Sequence, residues 1–181
     1  DDEADIFAPV LVSSRRRALW LGINLVTAFL AAWVIGQRQA TLAQLVALAV
    51  LMPIVASMGG IAGSQTLTLV IRGLALGQVQ KGNIRLLLSR EVGVSILNGI
   101  LWAVVIALLA VAWFGDWGIG AVLGAAILIN LLCAALAGLA IPLILDRLGI
   151  DPALAGSVIL TTVTDVVGFF AFLGLATVLL L

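Results

Sequence analysis

The chain has 181 residues, of which 64% are apolar and 10% charged, with nine basic and nine acidic side chains and a mean hydropathy of +1.30. Soluble domains carry roughly 25% charged residues, so a water-soluble globule is excluded and the bilayer is the solvent this chain is built for. Histidine is absent, which excludes Ser-His and Cys-His nucleophilic pairs, HExxH zinc sites and histidine proton relays; no enzyme and no nucleic-acid partner is expected.

Residues 1–17 read as a water-side arm, with Asp1, Asp2, Glu3 and Asp5 first, then Pro9 and the run Arg15-Arg16-Arg17. A cleavable signal would show the opposite order, a basic start before a short apolar region. Five apolar segments follow, at 18–36, 42–71, 92–114, 119–145 and 153–181, each near or above the roughly 20 helical residues that cross a hydrocarbon core. Lipid offers no partner to open backbone groups and the segments lack the alternation of barrel strands, so the spans are helices. The fold class is therefore all-α, a polytopic membrane protein with five transmembrane helices. Turn and charge signals mark the breaks, among them Gly36-Gln37-Arg38, Gly115-Asp116-Trp117 and Asp151-Pro152. In the longest break, Ile84, Leu87 and Leu88 share a face, which fits an interfacial helix or a solvated connector over 73–90.

Basic residues set the orientation. With the amino terminus cytoplasmic, Arg15, Arg16, Arg17, Arg72, Lys81, Arg85, Arg90 and Arg147 lie inside and Arg38 alone lies outside. The expectation is a multi-pass protein of the cell's inner (plasma) membrane with its carboxyl terminus outside. Trp20, Trp33, Trp113 and Trp117 fall near helix ends, where indole favours the interface.

The second segment combines Pro53 with Gly59, Gly60 and Gly63 and a line of hydroxyls. Helical spacing puts Gly60, Ser64 and Thr68 on one stripe, with Ser57 three residues before it, and Gly59 and Gly63 on an adjacent stripe. Small residues at this spacing serve either as a packing seam between helices or as a wall that a hydrated ion approaches closely, and adjacent faces can do both. In the fifth segment Asp165 is a lone carboxylate deep in an apolar run, where a charge costs roughly 2.5–3.5 kcal/mol and marks a partner, a cavity or an ion path. Thr161, Asp165 and Gly168 fall at i, i+4 and i+7 and share a face by spacing. An ion pair with Arg72 or a bond to an asparagine is the structural alternative. Asn24, Asn98 and Asn130 are expected to hydrogen-bond between helices, Cys133 to be a small core residue, and Pro142 to bend or end the fourth segment.

A single carboxylate per chain cannot build a dehydrated metal cage. Magnesium, however, holds most of its waters and is bound through one or two carboxylates. A symmetric dimer would bring two copies of Asp165 around one dication, with backbone carbonyls and hydroxyls of the glycine-rich segment on its water shell.

The runs PIVASMGGIAGSQTLTLVIRGLALG (53–77) and TTVTDVVGFFAFLGLA (161–176) resemble the transmembrane domain of the MgtE magnesium channels. The resemblance implies a homodimeric pore in the lipid bilayer, lined by the second and fifth spans and carrying hydrated Mg2+, with other divalent cations as further candidates. It implies Asp165 as the essential acidic pore residue, Thr161 and Gly168 as pore-wall positions beside it, and Gly60, Ser64 and Thr68 on the second span. Ser157 matches a position nearer a mouth of the pore. Where many relatives carry asparagine after the paired glycine, this chain has Ile61, which removes a polar contact there. The family's cytoplasmic magnesium sensor ends in a plug helix, and the acidic start resembles its tail. That implies a pore domain over 18–181, excised or naturally short, whose gating by intracellular magnesium is weak. Other classes that fit the residues are an ion-coupled transporter of divalent cations, which needs a second coupling site, and a non-conducting scaffold.

Overall fold

A computed structural model describes residues 6–181; the acidic start at Asp1, Asp2, Glu3 and Asp5 lies outside the described residues. Six helices occupy them in the order α1 (Val10–Gly36), α2 (Gln39–Gln44), α3 (Val46–Ala75), α4 (Ile84–Phe114), α5 (Trp117–Arg147) and α6 (Pro152–Leu180), and no strand is formed among the described residues. All but the short α2 are long and apolar enough to cross a bilayer. The expected five-span, all-α architecture is therefore present, and the protein is a multi-pass membrane protein.

Boundaries shift where capping chemistry extends a helix beyond its apolar core. Asp116 caps α5 by accepting from the Gly118 and Ile119 amides at 2.8 and 3.2 Å, and Asp151 caps α6 through Ala153 at 3.0 Å with Pro152 in the first turn. Gly115, at φ +67°, closes α4 in the left-handed conformation. The first helix begins at Val10 and carries Arg15, Arg16 and Arg17 within it, so the helical part of the arm is continuous with the span. The stretch over 73–90 divides differently from either expectation. Its first part completes α3, a turn follows in which Asn83 accepts from the Gln80 amide and donates to the Gln78 carbonyl, and Ile84 onward is already α4. Pro142 is buried inside α5, which continues to Arg147, so it does not end that helix.

The core is organised around α5, which packs against α3, α4 and α6, while α3 packs against α6 and α1 lies along α6. Glycines permit these approaches. A Cβ at Gly124 would meet the Ala103 carbonyl oxygen of α4 at 3.1 Å, and one at Gly138 would meet the Gly63 carbonyl oxygen of α3 at 2.8 Å. In lipid, where the hydrophobic effect does not press helices together, such backbone proximity and a few interhelical hydrogen bonds hold a bundle. Ser95 of α4 donates to the Leu131 carbonyl of α5 at 2.9 Å, and the Thr41 and Thr177 hydroxyls link α2 to α6 at 2.7 Å. Phe172, Leu123, Ile127, Leu48 and Leu51 fill the largest apolar cluster.

Candidate functional site: the α3 and α6 seam and its carboxylate

The two stripes on the glycine-rich helix have separate fates. Gly63 packs on Leu160 of α6, Leu67 packs on Gly156, and Gly59 lies against the Asn130 amide of α5. Gly59, Gly63 and Leu67 are accordingly buried. One residue further round the helix, Ser57, Ser64 and Thr68 are exposed and Gly60 is half-buried with nothing within 4 Å of a Cβ placed on it. The small-residue seam and the open polar stripe are thus both present, on adjacent faces of α3.

Asn130 is the pin of this arrangement. It is fully buried where α3, α5 and α6 meet, donates from Nδ2 to the Val55 carbonyl of α3 at 3.2 Å, and abuts both Gly59 and Gly168. Its Oδ1 accepts no hydrogen bond. Of the three intramembrane asparagines, this is the one that bonds between helices as expected. Asn98 instead donates to the Val94 carbonyl of its own helix at 3.2 Å, and the side chain of Asn24 faces a cleft between α1 and α6. An asparagine in an apolar run is visible in sequence; the carbonyl it reaches is not.

Asp165 lies about 20 Å along α6 from Pro152, taking roughly 1.5 Å per residue, and its residue is half-buried. Among the described residues its carboxylate makes no hydrogen bond or ion pair. Of the partners a structural role offered, Arg72 is exposed at the last turn of α3 and no asparagine bonds to the carboxylate among the described residues. Thr161, one turn before Asp165, is exposed and donates to the Ser157 carbonyl at 2.8 Å, while its own carbonyl accepts from Thr164 at 3.2 Å. Ser157 and Thr162 likewise donate within the helix, to Leu154 at 3.4 Å and Val158 at 2.9 Å. These hydroxyls satisfy their donors locally, so their oxygens keep lone pairs for water on the exposed side.

Gly168 parts company with the acid. Spacing puts it on the face of Thr161 and Asp165, yet it is buried in the seam, where a Cβ would meet the Asn130 Nδ2 at 2.7 Å and Val55 at 2.8 Å. Helices that cross at an angle bury different faces at different heights, and at the level of Gly168 the neighbours are α3 and α5. In this structure Gly168 serves close packing, and Asp165, Thr161, Gly60, Ser64 and Thr68 remain as the residues not enclosed by it.

Five helices long and apolar enough to span a membrane, packed through glycines, and an intramembrane carboxylate with no partner among the described residues define the class of polytopic helical membrane proteins. Residues 52–175 match the family described as "MgtE: Divalent cation transporter", and the chain belongs to that family. It is similar to "Magnesium transporter MgtE" of Bacillus subtilis (strain 168), at 35% identity over 166 residues, covering 92% of this chain and 37% of that relative. It is also similar to the protein of the same name from Thermus thermophilus, at 31% identity over 164 residues, 91% of this chain and 36% of the relative. A third "Magnesium transporter MgtE", from Enterococcus faecalis, is 27% identical over 176 residues, 97% of this chain and 39% of the relative. The chain therefore spans somewhat over a third of the length of these relatives.

Proposed function

We propose that this chain forms a magnesium-selective channel that conducts the hydrated ion along the axis of a homodimer, with Asp165 as the selectivity carboxylate. The observation that carries the reading is the Asp165 carboxylate itself, half-buried within a span and without a hydrogen-bond or ion-pair partner among the described residues. An unpaired intramembrane acid is costly unless water or a cation meets it. Two-fold symmetry supplies a second copy, and two carboxylates facing an ion that keeps its waters is the mode magnesium favours. The open stripe of Gly60, Ser64 and Thr68 on α3, together with Thr161 on α6, then lines the water shell, small enough to admit a hydrated ion and bearing oxygens to accept from it. Gly168 supports this wall from behind by holding α6 against Asn130 and Val55. In this reading the amino terminus is cytoplasmic, and the positions of Arg15, Arg16, Arg17, Arg72, Lys81, Arg85, Arg90 and Arg147 are the basis for it.

The test is Asp165→Asn, which keeps shape and removes charge. In proteoliposomes loaded with a magnesium indicator, influx driven by membrane potential should fall by about tenfold or more, as loss of at least 1.4 kcal/mol of attraction implies. Unchanged influx and unchanged preference for magnesium over calcium would overturn the proposal. Influx that stops when a proton or sodium gradient collapses at constant potential would instead favour a coupled transporter.

A further inference from the structure

The turn after α1 carries a charge that the proposed pathway does not use. Arg38 stands at the end of the spans opposite the other eight basic residues. Backbone bonds fix this turn, the Gln37 amide donating to the Trp33 carbonyl at 3.1 Å and the Arg38 amide to the Ile35 carbonyl at 3.0 Å. The half-buried guanidinium of Arg38 makes no hydrogen bond or ion pair among the described residues, and the side-chain amide of Gln37 makes none either. Both side chains line a cleft of about 440 Å³ between the end of α1 and the second half of α6. Phe169 and Leu173 are buried beneath it, while Trp33 and Phe170 are exposed along it. Among the described residues no acidic side chain lines this cleft.

Depth identifies what surrounds the guanidinium. Arg17 lines another cleft at the other end of the same helix pair, together with Leu154, Ser157 and Thr161 of α6. The two arginines are 21 residues apart in the chain, roughly 30 Å of helix, which is about the thickness of a hydrocarbon core. Arg38 therefore stands at the level of lipid headgroups, and Trp33, more than a turn earlier, lies on its hydrocarbon side. The Arg17 cleft includes Thr161 of the proposed pore wall, whereas the Arg38 cleft includes no residue of that wall. A cation is repelled by Arg38, and a small soluble anion would leave the aromatic surface uncovered. A zwitterionic headgroup would bring an ammonium to a cleft with no carboxylate to receive it.

We infer that this cleft is a binding site for an anionic phospholipid, phosphatidylglycerol being a lipid of that chemistry. The phosphate accepts from the Arg38 guanidinium and the Gln37 amide, and the upper part of an acyl chain passes between Trp33 and Phe170. A guanidinium held in a partly dry site selects this headgroup, because its planar fork of donors matches phosphate oxygens and the bonds are charge-assisted.

Native mass spectrometry of the purified full chain, titrated with phosphatidylglycerol or phosphatidylethanolamine of identical acyl chains, tests the site without reference to ion flux. The first phosphatidylglycerol bound should be retained about fivefold more tightly, the ratio that one basic residue supplies toward an anionic lipid. Arg38→Gln leaves the backbone bonds of the turn in place and so should fold, but it should abolish that preference. Arg85→Gln removes an exposed charge outside the cleft and should leave the preference intact. Phosphatidylglycerol brominated on its acyl chains should quench indole fluorescence more than the brominated ethanolamine lipid at equal mole fraction, and Trp33→Phe should remove that difference. Equal retention of the two lipids by the unmodified chain, a preference that survives Arg38→Gln or falls as far in Arg85→Gln, or displacement of the lipid by millimolar inorganic phosphate would overturn the inference.

Discussion

Two faces of α3, one residue apart, show how lipid-embedded glycines divide their work. At Gly59 a Cβ would run into the Asn130 amide, and at Gly63 it would meet Leu160 at 2.8 Å; at Gly60 it would meet nothing within 4 Å. The first face is shaped by what packs against it and the second by what is kept away from it. The same residue type is thus a structural necessity on one face and, in the proposed channel, an allowance for a hydrated ion on the other.

That contrast can be broken most sharply at Gly59. Gly59→Ala should destabilise the bundle by about 2–3 kcal/mol, since a buried methyl must displace Asn130 and its bond to the Val55 carbonyl; thermal unfolding in a fixed detergent measures it. Asn130→Ala comes next, at about 1 kcal/mol, because intramembrane hydrogen bonds average well under 2 kcal/mol and the Oδ1 it removes had no partner. The double substitution sharpens the comparison, since an alanine at 130 vacates the space that Ala at 59 would enter. Gly59→Ala should then cost about 1 kcal/mol less in that background than alone, a coupling that a double-mutant cycle detects. Additive effects would show that the glycine face is not set by contact with Asn130. The smallest stability change is expected from Gly60→Ala, within about 0.5 kcal/mol. Its readout is functional: on the proposed pore wall it should reduce magnesium influx while leaving the unfolding temperature unchanged, and an unaltered influx would remove Gly60 from that wall.

Much of the fold was legible in the residues. The apolar runs are long enough to dictate spans, and Asp116 and Asp151 marked breaks between them; that each caps the helix that follows is seen only in the structure. The arginine-rich beginnings of α1 and α4 were less legible, since Arg15, Arg16, Arg17, Arg85 and Arg90 read as water-side segments, whereas the structure makes them the first turns of helices that continue into the span. Long basic side chains can reach water from such turns without breaking the backbone ladder. At the candidate site, Asp165 stood out because a lone carboxylate in an apolar run has few cheap explanations. Arg38 bore only on orientation, and the cleft of Trp33, Phe169 and Phe170 around its unpaired guanidinium comes from the fold alone.

What the amino-acid order determined by itself is the solvent, the number of crossings and the one acid that needs an explanation, all of which follow from the cost of transferring each residue into hydrocarbon. Which of two neighbouring stripes packs and which stays open, why Gly168 is buried while Asp165 on the same face is only half-buried, and which asparagine reaches across helices were decided only by tertiary structure. The physical reason is that lipid tails and apolar side chains are nearly equivalent neighbours. A helix that is apolar all round carries little record of which side meets protein, and that choice rests on where a partner's backbone comes close enough to exclude a Cβ.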